Sequence, residues 1–276
     1  MKYAYFHLGI CCMVLFLFGI SLIFFQWKNQ RKAQQQLEHL KQSVSSPSIP
    51  KTERLPSIFI TGKEFPNKDS SVFLMPVKKK EILPKYQSLH EENQDLIGWI
   101  EIPGTMLNFP VMYTPSDPNY YLYHLFDGTS SLYGVPFLDG DCSLEPRSTN
   151  LILHGHHMSD GTMFSALLEY QNETYFLSHP EIRFDTLYEE GRYAVIAAFQ
   201  SVYDENDAGE DLYYNFIEAK DPDDFDRFVT SVKEQAFYDT GISASYGDEL
   251  LTLITCWDYQ GNNRMNIIAK KIRAYP

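Results

Sequence analysis

The sequence contains few cysteines for its length. There are four in 276 residues, and two of them, Cys11 and Cys12, lie in an apolar run near the N-terminus. Only Cys142 and Cys256 remain for a folded domain, whereas a disulfide framework requires a larger, evenly paired set of cysteines. The sequence therefore predicts no such framework, although a single bridge between these two cysteines would be compatible with it.

Basic residues are also scarce. The chain has 23 Lys and Arg against 36 Asp and Glu, so its formal net charge is −13. The first 37 residues contain four cations and no acid, which leaves −17 for the rest. Because phosphate binding needs a basic face, nucleic acid is excluded as the expected partner. The acidic surface permits an amine-bearing partner, but it also serves simply as a solubilising surface.

One long segment carries no charge. Residues 8–27 are uncharged, and roughly 20 apolar residues are needed to cross a bilayer. We predict a transmembrane anchor at 8–27 after a short tail at 1–7. The segment ends Phe24-Phe25-Gln26-Trp27 with no small-residue cleavage site, which favours a retained anchor over a cleaved signal peptide. The cations at Lys28, Arg31 and Lys32 outnumber Lys2, so the charge rule alone would place the C-terminal flank inside the cell.

A polar stretch follows the anchor. Residues 28–76 include a glutamine run and the Ser/Pro-rich Ser43–Pro50, which indicates a juxtamembrane helix that leads into a flexible stalk. The remaining residues, 77–276, are enough for one substantial core, so we expect one folded domain there.

The folded domain is predicted to be mainly β. Eight short strands with few helices are typical of a closed barrel, and we predict an eight-stranded β-barrel with peripheral helices. Apolar runs bounded by turn residues place the strands at Asp95–Thr105, Leu107–Met112, Gly134–Leu138, Asn150–Leu153, Ile182–Leu187, Arg192–Val202, Leu250–Thr255 and Met265–Ile272.

Three helices are expected around these strands. One pattern covers Val77–Asn93, is interrupted by Pro84, and would pack Tyr86 and Leu89 on the domain. A short helix includes Phe164, Leu167 and Leu168. A longer helix begins after the N-cap Asp221 with Pro222 at its first position, and shows one apolar face formed by Phe225, Phe228, Val229, Val232 and Ala236.

The C-terminal hairpin suggests nucleophilic chemistry. Leu250–Thr255 and Met265–Ile268 flank a polar loop, so Cys256 ends one strand and Arg264 opens the next. Opposed residues on paired strands lie roughly 5 Å apart, which would bring the thiol and the guanidinium together. A nearby cation favours the nucleophilic thiolate. The alternative is a strand-end cysteine that fills space beside an arginine bound to a surface carboxylate.

A histidine cluster supplies a partner for such a thiol. His154, His156 and His157 follow the apolar strand Asn150–Leu153. A zinc site would need further ligands at matching spacing, and neither Asp160 nor Cys142 completes a recognised pattern, so we predict no metal site. A histidine at a strand end suits acid–base catalysis, but spacing alone does not identify which of the three acts.

Three motifs in order resemble the sortase family. They are Gly98-Trp99-Ile100 with Ile102-Pro103-Gly104-Thr105, then Asn150–His157 with Gly161-Thr162-Met163-Phe164, and finally Thr252–Cys256 with Arg264. The likeness covers roughly residues 78–276 and is greatest to the class B group, which also has a long helix before the cysteine strand. The resemblance implies a membrane-anchored cysteine transpeptidase of Gram-positive bacteria with an eight-stranded barrel.

The resemblance also implies roles for individual residues. Its motifs align His156, Cys256 and Arg264 with the family's catalytic residues, and the resemblance as a whole implies substrate contacts at Thr255, Ile254, His154, Leu122 and Asn119. This chain departs from the class B pattern with Ile254 in place of a small hydroxyl residue and with His154 in place of a tyrosine, so we expect an altered substrate preference. The chemistry requires no metal or organic cofactor.

The implied reaction is an acyl transfer. Cys256 would attack the carbonyl of a Thr in the C-terminal sorting motif of a secreted protein, protonated His156 would protonate the departing amine, and Arg264 would hold the motif or the oxyanion. The acceptor would be an amine of cell-wall peptidoglycan or a pilin Lys. Such substrates are met after translocation, so residues 33–276 are expected outside the cell membrane, against the charge rule. Two alternatives are a cysteine peptidase that transfers the acyl group to water, and a non-catalytic peptide-binding barrel.

Overall fold

A computed structural model describes residues 2–45, 80–202, 214–257 and 262–272, and within residues 2–12 it describes the side chain of His7 alone. Most of the predicted stalk and the tip of the C-terminal hairpin loop lie outside these residues. Within them, eight strands close into a barrel in the order β1-β2-β3-β4-β7-β8-β6-β5. The predicted mainly β fold is therefore confirmed.

The strands are short except for two. They are β1 Leu96–Glu101, β2 Asn108–Met112, β3 Phe137–Leu138, β4 Asn150–His154, β5 Glu181–Thr186, β6 Arg192–Val202, β7 Leu250–Cys256 and β8 Asn263–Ile272. The pairs β2–β3 and β4–β7 are parallel, and the other neighbours are antiparallel. The barrel has a continuous apolar core, because Ile100, Leu153, Phe199, Leu253 and Ile267 are all fully buried.

Two strands are clearly shorter than the sequence predicts, and the first is Asp95–Thr105, which reduces to β1 Leu96–Glu101 because the chain turns at Pro103 and Gly104. The prediction Gly134–Leu138 shrinks to Phe137–Leu138, because Gly134 adopts φ +58° and approaches the preceding segment too closely for a regular strand. The Val135 N–H donates to the carbonyl of Tyr121 instead of to a strand neighbour. This glycine turn brings the 119–122 segment against the barrel.

The helices lie outside the barrel. They are α1 Lys2–Ser45, α2 Pro84–Glu92, α3 Glu173–Ser178 and α4 Pro222–Gln235, with 3₁₀ helices at Tyr120–Leu122 and Phe164–Gln171. Pro84 begins α2, where a proline is tolerated because no N–H partner is required, and the described residues 80–83 before it are not helical. The predicted start at Val77 lies outside the described residues. Tyr86 and Leu89 are buried, which confirms that this helix packs on the domain. The sequence reading missed α3, whose cap is Asn172.

The long helix α1 continues from the apolar run into the polar stretch. Its last turns contact the barrel through Ala33 and Leu40, which are buried. Among the helices whose side chains are described, none combines the length and the apolarity needed to cross a membrane. The side chains of residues 8–12, at the start of the predicted anchor, are outside that description.

Helix α4 agrees in detail with its sequence signals. The Asp221 carboxylate accepts a hydrogen bond from the Asp224 N–H at 2.8 Å, as a side-chain N-cap does. The apolar face formed by Phe225, Phe228, Val229 and Val232 is buried. Ala236 lies just beyond the last turn, as the C-cap, and is half-buried against the same core.

The cap of α4 provides a test of the fold. Asp221→Ala should lower the free energy of unfolding by about 1 kcal/mol, because it leaves the Asp224 N–H without its side-chain acceptor. Asp226→Ala, on the exposed face of the same helix, should change stability by less than about 0.5 kcal/mol. Denaturant melts of both variants make the comparison, and equal losses would show that the cap does not stabilise the helix.

Candidate active site

Two strand ends define the site. Strands β4 and β7 pair in parallel from Asn150–Leu250 to His154–Ile254, so both chains leave the sheet at the same edge. His156 lies two residues beyond His154, and Cys256 lies two residues beyond Ile254. The register of this one strand pair therefore brings His156 and Cys256 to the same edge, although they are about a hundred residues apart in the sequence.

Hydrogen bonds join the two strand ends beyond the last paired residues. The Gly155 N–H donates to the carbonyl of Ile254 at 3.2 Å, and the Thr255 hydroxyl donates to the carbonyl of Gly155 at 2.8 Å. Thr255 is only 2 % exposed. Its side chain therefore fastens the histidine segment to the cysteine strand.

The hairpin brings the third predicted residue to this edge. Cys256 and Arg264 are directly paired on the antiparallel strands β7 and β8, as the sequence predicts. Both residues are half-buried, and the Arg264 guanidinium donates to the carbonyl of Asn263 at 3.1 Å. The guanidinium is thereby held at the hairpin mouth, on the same strand pair as the thiol.

The imidazole of His156 is fixed by a backbone carbonyl. Its Nε2 lies 2.7 Å from the carbonyl oxygen of Leu122, so Nε2 carries the proton and donates it to that oxygen. The other nitrogen, Nδ1, is then the one left to exchange protons. Burial lowers the pKa of His156 below its ordinary value of 6.5, and the bond to Leu122 only partly offsets this effect. The imidazole is neutral at pH 7.

The Leu122 carbonyl is itself positioned by Gly134. A methyl group on Gly134 would fall 2.5 Å from the carbonyl oxygens of Tyr121 and Leu122, which is a collision. Only glycine permits this approach, and its φ of +58° is also a conformation that other residues rarely adopt. The sequence does not predict the contact between His156 and the Leu122 carbonyl, because every residue has a backbone oxygen and no residue type marks the one that binds the ring.

A second glycine allows the His156 segment to pack on an aromatic ring. A methyl group on Gly155 would lie 2.7 Å from the ring of Phe164. The Phe164 N–H also donates to the carbonyl of His156 at 2.9 Å. The segment is therefore held from both sides, by Phe164 and by the cysteine strand.

His157 has a different environment from His156. Burial lowers its pKa, while backbone groups of Cys256 and Trp257 raise it in part, so its ring lies against the backbone at the cysteine strand end. Its main chain pairs with Met163 in an isolated β-bridge. These contacts suit a structural role, and they distinguish the two adjacent histidines, which sequence spacing does not.

The other predicted contact residues lie around this edge. Ile254 is buried on β7, and His154 is half-buried, with its Nε2 2.8 Å from a carboxylate oxygen of Asp139. Leu122 is half-buried in the 3₁₀ helix, and Asn119, its N-cap, is exposed. Asp139 was not anticipated. Contacts of these residues with a substrate stay predictions.

The second cysteine of the domain is chemically protected. Cys142 is 2 % exposed, and its Sγ accepts a hydrogen bond from the Ile152 N–H at 3.4 Å. Burial raises the pKa of its thiol to about 12. Cys142 and Cys256 are both free thiols, so the conceivable bridge between them is absent and Cys256 keeps its thiol.

Comparisons with known proteins converge on one family. The family model for the sortase domain matches residues 100–272. The chain is 28% identical to sortase B of Staphylococcus aureus (strain NCTC 8325 / PS 47) over 72% of this chain and 80% of that protein. It is 27% identical to sortase B of Listeria monocytogenes over 64% of this chain and 68% of that protein. A solved Staphylococcus aureus sortase B–substrate complex superposes with a TM-score of 0.70 at 24% identity, covering 90% of this chain and all of the other.

The two thiols should differ in reactivity. A methanethiosulfonate reagent should modify half-buried Cys256 well before Cys142, because the latter is buried and its thiolate is strongly disfavoured. Mass spectrometry of peptides from the folded protein measures both sites. Faster labelling at Cys142 would contradict the assignment, and the Cys142→Ala variant provides the matched control.

Gly134→Ala should displace the Leu122 carbonyl and with it the His156 ring. We expect turnover of a peptide substrate to fall by about 10²-fold, the scale of a misplacement near 1 Å. The control is Gly128→Ala, which also places alanine at positive φ, but whose methyl group lies 3.3 Å from the Tyr120 hydroxyl and meets no carbonyl. Equal turnover in the two variants, at matched thermal stability, would show that the Gly134 contact does not position His156.

Proposed function

This chain belongs to the sortase family and is a class B cysteine transpeptidase, and from this premise we propose which bond it cleaves and where the acyl group goes. It cleaves a C-terminal sorting motif of secreted proteins after Thr and transfers the Thr acyl group to an amine of cell-wall peptidoglycan or to a pilin Lys. The observation that carries the proposal is the pairing of Cys256 with Arg264 at the same barrel edge as His156.

The first half of the reaction forms a thioester. As the Cys256 sulfur attacks the Thr carbonyl carbon, Nδ1 of neutral His156 takes the thiol proton. The guanidinium of Arg264 donates hydrogen bonds to the developing oxyanion. When the tetrahedral intermediate collapses, the C–N bond breaks, and the His156 imidazolium gives its proton to the departing amine.

The second half reverses these roles. The acceptor amine attacks the thioester carbonyl and loses a proton to Nδ1 of His156. The C–S bond then breaks, and the proton returns to the Cys256 sulfur. The Leu122 carbonyl supports both halves, because it keeps the Nε2–H bound whether or not Nδ1 is protonated. A low pKa makes the imidazolium a strong acid toward the leaving amine.

The cellular location of the domain is inferred from the place where its secreted substrates become accessible. We propose that residues 8–27 anchor the chain in the cell membrane with residues 33–276 outside, on the strength of the uncharged run and the secreted substrates. Protease treatment of intact cells should then cleave the exposed stalk and release the domain. A domain that stays intact until the cells are lysed would contradict this orientation.

The direct test of the function is the fate of the acyl group. The protein, a Thr-containing sorting peptide and an amine acceptor should give an acyl-enzyme on Cys256 and then an amide product. Cys256→Ala should form neither, and His156→Ala should lose about 10²-fold or more, whereas His157→Ala should be milder. Hydrolysis alone at saturating amine would favour a peptidase, and an active Cys256→Ala variant would overturn the mechanism.

Arg264→Lys separates charge from geometry. Lysine keeps the positive charge but loses the planar fork that donates two parallel hydrogen bonds. We expect alkylation of Cys256 at a near-native rate and transpeptidation reduced by about 10²-fold, the scale of losing one oxyanion donor. Near-native transpeptidation would refute the oxyanion role. An equal loss in both assays would instead assign Arg264 to thiolate stabilisation.

A further inference from the structure

The polar end of helix α1 packs across the barrel beside the histidine segment. Its inward-facing side chains recur at helical spacing, at Ala33, Leu37, Leu40 and Val44. Ala33 and Leu40 are buried, and Leu37 and Val44 pack against the two apolar clusters of the domain. An apolar stripe therefore fixes this end of the helix to the barrel, although most of its other residues are polar.

The stripe lies over both parts of the chain that hold the His156 imidazole. A cleft between α1 and the barrel is lined by three residues of the stripe and three of the barrel side, namely Ala33, Leu37, Leu40, Tyr133, Gly134 and Met163. Gly134 belongs to the turn 133–135, which lets the Leu122 carbonyl reach the ring of His156. Met163 lies in the loop after the histidines and pairs with His157. The helix thus meets the imidazole's supports on both sides.

One carboxylate ties the helix to these two supports. Oδ2 of Asp160 accepts a hydrogen bond from Nε2 of Gln30 at 2.8 Å and another from the Tyr133 hydroxyl at 2.9 Å. Oδ1 accepts from the N–H and the hydroxyl of Thr162, at 3.1 and 2.6 Å. Burial raises the pKa of Asp160, but these hydrogen bonds outweigh it and hold the pKa below its ordinary value. The group that joins α1 to the turn 133–135 and to the loop after the histidines is therefore ionised at neutral pH.

The loop that α1 covers contains a strained turn. The Ser165 N–H donates to the carbonyl of Thr162 at 3.2 Å, which closes the turn 162–165. Met163, at its second position, has φ +55° and ψ −130°, as in a type II′ turn, where glycine is the usual residue. A non-glycine residue keeps such a conformation only where the surrounding contacts impose it. The next residue, Phe164, donates to the carbonyl of His156, so the shape of this turn bears directly on the histidine.

We infer that residues 30–40 of α1 form a clasp that holds the turns 133–135 and 162–165 together and thereby positions the His156 imidazole. The inference rests on the proposed function, because it assigns a positioning element to that reaction. The clasp supplies the outside contacts that the strained turn requires. When it is released, the turn 162–165 relaxes, and the imidazole loses its enclosure and its alignment on the backbone carbonyl that binds it.

Ala33→Glu tests the packing contact in the full-length chain. The new carboxylate would be buried in the apolar cleft, so the helix should lift from the two turns. Because burial lowers the pKa of His156, the midpoint of a ¹⁵N NMR titration of its ring should rise toward 6.5. The kcat of transpeptidation should fall about tenfold with little change in KM, part of the loss caused by a misplacement near 1 Å. Gln35→Glu adds the same charge to the exposed face of the helix and should change neither quantity.

Gln30→Ala tests the hydrogen bond without burying a charge, so it decides the question even where Ala33→Glu does not fold. The midpoint should move in the same direction and kcat should fall about threefold, the scale of a weak exposed hydrogen bond. Gln35→Ala is the matched control, because it makes the same change at an exposed position of the same helix. Gln30→Arg keeps a planar N–H donor for Asp160 and should retain the native midpoint and rate.

Met163→Gly tests the strained turn. Glycine adopts this conformation without strain, so the turn should keep its shape when the clasp is weakened. The loss of kcat caused by Gln30→Ala should therefore be smaller in the Met163→Gly background than in the unaltered protein, as a double-mutant cycle measures. An equal loss in both backgrounds would show that the clasp does not act through this turn.

The outcomes separate the clasp from the proposed function. An unchanged His156 midpoint in both Ala33→Glu and Gln30→Ala, or equal shifts in the Gln35 controls, would overturn the clasp. A fall in kcat that follows thermal stability alone, with the midpoint unmoved, would also overturn it. If the midpoints shift as expected but the unaltered protein forms no amide product, the proposed function fails and the clasp stands.

Discussion

The parallel pairing of β4 with β7 is the constraint on which the rest of the site depends. Parallel neighbours must leave a sheet at the same edge, so the residues that follow His154 and Ile254 emerge side by side. The antiparallel hairpin β7–β8 then adds Arg264 opposite Cys256. A shift of one residue in either ladder would turn the strand-borne side chains to the other face of the sheet. The hydrogen bond from the Thr252 hydroxyl to the Asn150 side chain, at 3.0 Å, opposes such a shift between β4 and β7, because it joins two fully buried polar groups that the shift would separate.

The register places the strand ends, but contacts from outside the sheet orient the imidazole. The Leu122 carbonyl binds Nε2 of His156, Gly134 lets that carbonyl approach, and Phe164 holds the segment from the other side. Each of these contacts comes from a loop or a 3₁₀ helix fixed on the barrel. The arrangement explains how two adjacent histidines differ, since His156 is aimed at the 119–122 segment and His157 at the backbone of the cysteine strand.

Much of this could be predicted from the sequence, because many of its signals are local. Alternation and turn residues identified eight strands, the Asp221-Pro222 pair identified the start of α4, and the hairpin pattern predicted that Cys256 faces Arg264. The differences between the predicted and observed elements have physical reasons. Strand β3 is cut short by the left-handed Gly134, and α3 is only six residues long, too short for a clear period.

The remaining contacts of the site could not have been predicted from sequence spacing. The bond from His156 to Leu122 uses a backbone oxygen, and the bond from His154 to Asp139 joins the last residue of β4 to the residue that follows β3. Both depend on the closed barrel and not on any local pattern. They nevertheless determine which nitrogen of each ring is available.

The Leu122 carbonyl fixes His156 as a neutral base that exchanges protons through Nδ1. A pH titration of the folded protein, followed by ¹⁵N NMR of the His156 ring, tests it most directly. We expect the Nε2–H form at neutral pH and a titration midpoint below the ordinary histidine value of about 6.5. An Nδ1–H form, or a midpoint at or above that value, would contradict it.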